Sequence, residues 1–309
     1  MLKKTFYSHG KLLITGEYLV LDGISALAVP TKKGQWLTIE ENNSDQISWK
    51  SFDHKEECWF EANLILENDT IRQTKNVIEE NEITNTLIKI LIAAKELNPN
   101  FLSKNKGYTI ETKLEFDREW GLGSSSTLIN NIAQWAEVNA FTLLENSFGG
   151  SGYDIACAQY DTPIIYKLNN NVPVIKKTEF NPIFKDQLFF VYLNQKQSSK
   201  ESIKHYQSLS LKDFDHAEAV VNEITDSILY SKDIREFETL INSHEEIISS
   251  IIKTPTVKST LFPDYTRSIK SLGGWGGDFI LVTGSQSDMM YFRNKGYDTI
   301  IPYTEMILE

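Results

Sequence analysis

Residues 108–127 read Tyr108-Thr109-Ile110-Glu111-Thr112-Lys113-Leu114-Glu115-Phe116-Asp117-Arg118-Glu119-Trp120-Gly121-Leu122-Gly123-Ser124-Ser125-Ser126-Thr127. The first nine residues alternate apolar and polar side chains, the period of a strand with one buried face. A glycine-serine loop follows, and Leu128, Ile132, Trp135, Ala136 and Val138 then recur at helical spacing, which predicts a helix over residues 127–144. Glycines admit positive φ, so a loop between strand and helix can turn consecutive N–H groups toward one anion. The start of the helix adds unpaired N–H groups and a positive dipole end, and the serines add hydroxyls for phosphate oxygens or magnesium. A serine N-cap after a tight turn uses the same residues, and the loop alone leaves the two readings level. No Gly-Lys-Ser/Thr follows, so the loop is not of the Walker type, and it lacks the dinucleotide-binding spacing.

Working outward, two further glycine clusters appear: Gly149-Gly150-Ser151-Gly152, leading into Tyr153-Asp154-Ile155-Ala156, and Gly273-Gly274-Trp275-Gly276-Gly277. Four glycines around one tryptophan exceed what a turn requires, and close backbone approach is the alternative reason. Residues 11–21 read as a strand broken at Gly16, and residues 35–40, 59–66, 163–168, 188–193 and 279–282 as further strands. Helical patterns cover residues 83–97, 199–209, 214–230 and 234–252, and the polar run Asn169-Asn170-Asn171 is the first plausible boundary. The alternation gives a mixed α/β or α+β class.

Composition bounds the function. The 309 residues suffice for two domains, and a net charge of −11 argues against binding nucleic acid or an anionic membrane. Any anionic ligand must then be held by local donors and a few placed cations. Cys58 and Cys157 lie far apart with no metal-ligand spacing. The N-terminal residues lack a signal peptide's apolar run, and no stretch has a membrane span's length, so the expected location is cytoplasmic.

Taken together, these segments resemble the motifs of the GHMP kinase family, which includes galactokinase, homoserine kinase, mevalonate kinase and phosphomevalonate kinase. Gly10-Lys11-Leu12-Leu13-Ile14-Thr15-Gly16-Glu17 is similar to the first motif, Gly121-Leu122-Gly123-Ser124-Ser125-Ser126 to the second, and residues 271–278 to the third. Gly150-Ser151-Gly152-Tyr153-Asp154-Ile155-Ala156 resembles the segment with the catalytic aspartate, above all in its phosphomevalonate kinase form. The matches fall in family order along nearly the whole chain. The resemblance implies an α+β, two-domain fold: an N-terminal ATP-binding domain like ribosomal protein S5 over residues 1–175, and a ferredoxin-like α/β domain over 176–309.

It also implies an enzyme that moves the γ-phosphate of ATP to a hydroxyl or phosphate of a small molecule, with ATP and Mg2+ as cofactors. Gly121, Leu122, Gly123, Ser124, Ser125 and Ser126 would wrap the triphosphate, with Ser125 as magnesium ligand. Asp154 would be the base and Lys11 the cation beside it, and Gly276 would form the site wall on the substrate side. Asn194-Gln195-Lys196-Gln197-Ser198-Ser199-Lys200 resembles the loop that faces the acceptor in mevalonate-pathway members. Lys196 and Lys200 would neutralise its anion and Ser199 would donate; an exposed loop capped by Ser198 or Ser199 is the plainer reading.

Three departures stand out. Trp120 precedes the second motif, Trp275 interrupts the third, and Leu143 falls where mevalonate kinases carry a magnesium-binding glutamate, with Glu137 and Glu145 out of register. The acceptor is expected to be mevalonate or phosphomevalonate, in isoprenoid synthesis. A non-catalytic nucleotide- or metabolite-binding homologue and a diphosphomevalonate decarboxylase relative stay open, as do a monomer and a homodimer.

Overall fold

The computed structural model describes residues 3–67, 70–74, 81–102, 106–209 and 214–308. The chain divides into two compact units, each drawn from separate stretches: residues 1–10, 33–118 and 123–159 form one, and residues 11–32, 119–122 and 160–309 the other. The elements of the first unit are β1 (Lys3–Leu13), β2 (Ala26–Asn42), β3 (Gln46–Phe52), β4 (Cys58–Glu67), β5 (Thr70–Gln73), α1 (Glu82–Leu97), β6 (Gly107–Leu114), α2 (Ser124–Ala136), α3 (Ala140–Ser147) and α4 (Tyr153–Gln159). The end of β1 and the start of β2 belong to the second unit.

The strands of the first unit run in the order β5-β4-β3-β6-β2, with β1 also paired to β2. All the registered pairs here are antiparallel except β3 with β6, which is parallel. One face of this sheet, with Leu37, Ile39, Ile47, Trp49, Leu64 and Ile110, packs against Leu87, Ile90 and Leu91 of α1 and Ile129, Ile132 and Ala133 of α2. Burying each leucine or isoleucine side chain here contributes about 1.5–3 kcal/mol.

Sequence periodicity ran α2 and α3 together as one helix over residues 127–144. The structure breaks it at Glu137, which adopts the left-handed conformation (φ 56) as the C-cap of α2. Asn139 then caps α3, accepting from the N–H groups of Phe141 and Thr142. Apolar spacing continues through the break, which is why periodicity missed it. The strand expected over residues 11–21 also ends early, at Leu13. Gly16 turns the chain, and Leu19–Asp22 forms a 3-10 turn with Leu19 and Val20 buried.

The second unit adds β7 (Ile164–Asn169), β8 (Val172–Lys177), β9 (Leu188–Tyr192), α5 (Ser199–Ser208), α6 (Phe214–Ile228), α7 (Ile234–Ile252), α8 (Val257–Leu261), β10 (Ile269–Ser271), β11 (Phe279–Thr283), α9 (Met290–Arg293), β12 (Ile300–Pro302) and α10 (Tyr303–Met306). Asn170 and Asn171, read from sequence as a boundary, both have positive φ (49 and 62) and turn the β7–β8 hairpin. The cut placed at 175/176 falls inside β8. From β9 onward the chain runs strand, helices, two strands, helix, strand, and the antiparallel sheet has the order β10-β11-β9-β12. That is the βαββαβ arrangement of ferredoxin-like domains, as expected for the C-terminal half. Its core gathers Phe189, Val191, Phe262, Ile269, Ile280, Val282 and Phe292.

Candidate active site

No serine of the glycine-serine loop caps the helix that follows it. Gly123, not a serine, is the N-cap of α2; it sits in the left-handed region at φ 88, with no side chain capping the helix. The hydroxyls of Ser126 and Thr127 turn back to the Gly123 carbonyl at 2.8 and 3.1 Å. No acidic residue occupies the first turn of this 13-residue helix. Its leading N–H groups and dipole end are therefore left to an external partner, the condition for anion binding. Ser125 is exposed and Ser124 half-buried, whereas Ser126 is buried with its hydroxyl engaged within the helix.

Asp154 belongs to the same unit, in the first turn of α4, half-buried, directly after a run with positive φ at Gly149, Gly150 and Gly152. Helix α4 packs on α2, and buried amides tie both to the strands. Asn130 donates to the Ser8 hydroxyl (2.8 Å) and, at 3.4 Å, to the Ala158 carbonyl at the end of α4. Ser8 donates to Asn131 (2.7 Å), Asn131 to the Gln35 carbonyl (2.9 Å), and Thr127 to the Gln35 side chain (2.7 Å). Hydrogen-bond networks of this kind rigidify what they hold, although the buried Asn130 Oδ1 finds no partner among the described residues. Leu143 is fully buried in the core, so that position supplies no carboxylate, and Glu137 and Glu145 are exposed.

The second unit collects the other nominated residues. Lys11 is buried; its N–H donates to the Leu122 carbonyl (3.0 Å) and its ammonium to the Gly121 carbonyl (3.1 Å). The first motif thus grips the second directly. Opposite Gly121 stands Asp278, buried at the end of the third glycine cluster. Burial pushes its carboxyl up, opposed by the N–H of Gln197, by Lys11, by the N–H of Gly274 and by Lys196. Lys196 is exposed and ion-paired with Glu119 at 3.6 Å, and Lys200 is exposed. Ser198 is the N-cap of α5, accepting from the Glu201 N–H, as the plainer reading of that loop expected. The side chain of Ser199 lies outside the described residues. Gly276 is half-exposed at φ 87, with the Gln197 amide 3.8 Å from where a Cβ would stand.

Several residues in and beside the motifs have organising roles. Trp120 meets the edge of Phe279, and Trp275 donates from its ring to the Pro255 carbonyl and from its N–H to the Tyr18 phenol. Both tryptophans that depart from the motifs are thus packing residues. Glu17 of the first motif is buried and bonded to Lys270, which also holds Glu245 at 3.2 Å. His244 accepts the Gly16 N–H at 3.0 Å, and burial keeps it neutral by driving its pKa well below 6.5. Gln197 and Asp278 were unassigned; the only signal was an acidic residue directly after four glycines.

The chain as a whole is similar in fold to several solved structures. The chain superimposes on mevalonate kinase of Methanococcus jannaschii with a TM-score of 0.70 at 17% identity, covering 97% of each chain. Phosphomevalonate kinase of Streptococcus pneumoniae, solved with phosphomevalonate and AMPPNP, gives 0.66 at 15% identity, covering 96% of this chain and 99% of that one. Galactokinase of Lactococcus lactis, solved with galactose, gives 0.63 at 10% identity over 99% and 93%. No protein-family model and no curated protein sequence matches the chain. The fold is that of the GHMP kinases.

Proposed function

We propose that this chain, with its GHMP kinase fold, is an ATP-dependent kinase that phosphorylates a small acidic metabolite, mevalonate or phosphomevalonate. The observation that carries this reading is the uncapped start of α2 behind Gly121-Leu122-Gly123. Thirteen helical residues ending on bare N–H groups, with no acidic residue in the first turn, suit a triphosphate. The Gly-Ser-Gly-Tyr-Asp segment and the loop carrying Lys196 and Lys200 favour a mevalonate-pathway acceptor over a sugar.

In this reading Gly121, Leu122, Gly123, Ser124 and Ser125 wrap the phosphates, while Ser126 serves the loop through its bond to the Gly123 carbonyl. Lys11 holds the Gly121 carbonyl and supplies positive charge beside the loop. Asp154 accepts the acceptor's proton as the oxygen attacks the γ-phosphate, which leaves ADP. Bound magnesium would neutralise charge on the phosphates. Ser125, exposed in the first turn, is the hydroxyl that fits it, and with few protein ligands the ion would keep several waters.

The test is magnesium-dependent ADP release with mevalonate and phosphomevalonate, compared with Asp154→Asn. Loss of turnover by about a hundredfold or more, with ATP binding retained, is expected. Unchanged turnover in that variant rejects Asp154 as the base. Leu143 in the core favours one second reading, a nucleotide-binding homologue without catalysis. Tight ATP binding with no ADP from any acceptor would decide for it.

A further inference from the structure

Asp278 links three segments that are far apart in sequence, all within the second unit. Its N–H donates to the Gln195 carbonyl at 2.7 Å, and its own carbonyl accepts the Leu193 N–H at 2.8 Å. Its carboxylate accepts the Gln197 N–H at 3.1 Å and the N–H of Gly274. On its other side it lies so close to Gly121 that a methyl group there would fall within 2.7 Å of the carboxylate. Asp278 itself sits at φ 52, a left-handed conformation that aspartate and asparagine tolerate better than most residues. The glycines of the third cluster serve the same contact. A side chain at Gly274 would overlap Gln197 Cβ, and one at Gly277 would reach the Gln195 carbonyl at 2.9 Å. Two of the four glycines are thus small because Gln197 lies against them.

We propose that Asp278 is a positioning residue for the phosphate acceptor, fixing residues 195–197 on the third glycine cluster beside Gly121. The proposal rests on the kinase reading of the site. Lys196 and Lys200 flank the anchored Gln197, so their reach toward an acceptor depends on where that residue is held. Asp278 acts through the loop and through Gly121, and has no part in the proton or phosphoryl transfer.

Two substitutions separate this role from simple stability. Asp278→Asn keeps one acceptor oxygen, the Oδ1 that takes the Gln197 N–H, and suits the left-handed backbone; Asp278→Ala removes both acceptors. Hydrogen exchange at the Gln197 amide and steady-state ADP release with mevalonate and phosphomevalonate are the readouts. In Asp278→Ala the Gln197 amide should exchange about tenfold faster and the acceptor KM rise about tenfold, with the ATP KM moving less than about threefold. Asp278→Asn should stay within about threefold of the parent in both. Gly274→Ala, which displaces Gln197 from the other side, should raise the acceptor KM likewise and covers the case in which Asp278→Ala fails to fold. Unchanged Gln197 exchange in Asp278→Ala, an Asn variant as impaired as Ala, or an unmoved KM in Gly274→Ala each overturns the proposal. If the parent protein yields no ADP with any acceptor, the kinase reading fails instead, and the exchange measurement still decides the role of Asp278.

Discussion

Three consecutive serines have three different environments, and the difference assigns them different tasks. Ser126 is buried with its hydroxyl on the Gly123 carbonyl, while Ser125 is exposed in the same turn. Ser126→Ala should therefore lower stability by about 1 kcal/mol, the net worth of one hydrogen bond, and leave the magnesium requirement unchanged. Ser125→Ala should leave Tm unchanged, since an exposed hydroxyl changes stability by less than about 0.5 kcal/mol, and raise the magnesium concentration for half-maximal ADP release. Thermal melts and magnesium titrations of both variants check this, and a reversed pattern would move the metal to Ser126. The sequence could not separate the three, because which hydroxyl faces outward depends on where the helix begins. That start is set by Gly123 at positive φ.

At the level of elements, the uncapped N-terminus of α2 is a stability liability that a bound anion would offset. Ser124→Asp places a carboxylate in the first turn, where it should stabilise the helix by about 0.3–1 kcal/mol. The same charge should repel a triphosphate and weaken ATP binding about tenfold or more, by like-charge proximity. A melt and an ATP titration on one variant test both halves; a stabilised protein with unaltered ATP affinity would show that the phosphates bind elsewhere. Most elements were legible: α1, α5 to α7, β4, β6, β9 and β11 lie within a few residues of their expected spans. The failures share a cause. Apolar spacing carried through the Glu137–Asn139 break and past Leu13, where positive φ and a capping amide set the ends. β7 was expected over residues 163–168, but its hairpin partner β8 was missed because three asparagines in a row suggest a linker as readily as a type I′ turn. In the site, the glycine motifs marked the loops, but the contacts of Asp278, Gln197 and Lys270 arise from residues tens to hundreds of positions apart. No local pattern signals such pairings.

At the scale of the whole molecule, a buried cluster of ionisable residues in the second unit carries an electrostatic cost. Glu17, Glu245, Lys270 and His244 are all buried. Burial, only partly countered by Lys270, pushes Glu17 from 4.5 up to about 7, and burial raises Glu245 as well. Burial disfavours charge on Lys270 too, but the two glutamates outweigh it and raise its pKa, so its contribution is lost only at strongly alkaline pH. A carboxyl whose pKa rises on folding takes up a proton as the chain folds. Its contribution is therefore full below pH 4.5 and is lost as pH climbs toward 7. His244 has the opposite sign: its pKa falls on folding, so its contribution is full above pH 6.5 and is lost below that value. The two slopes oppose each other between pH 4.5 and 6.5, and the parent protein should show a shallow profile there. Glu17→Gln removes Glu17's share of the falling slope and leaves those of Glu245 and His244. Relative to the parent, this variant should gain stability between pH 5 and 8 by up to about 3 kcal/mol, because most of the rise from 4.5 to about 7 falls in that window. Denaturant melts at both pH values measure the difference. A constant difference between parent and variant would mean that Glu17 stays ionised throughout, held by Lys270 as a simple buried ion pair.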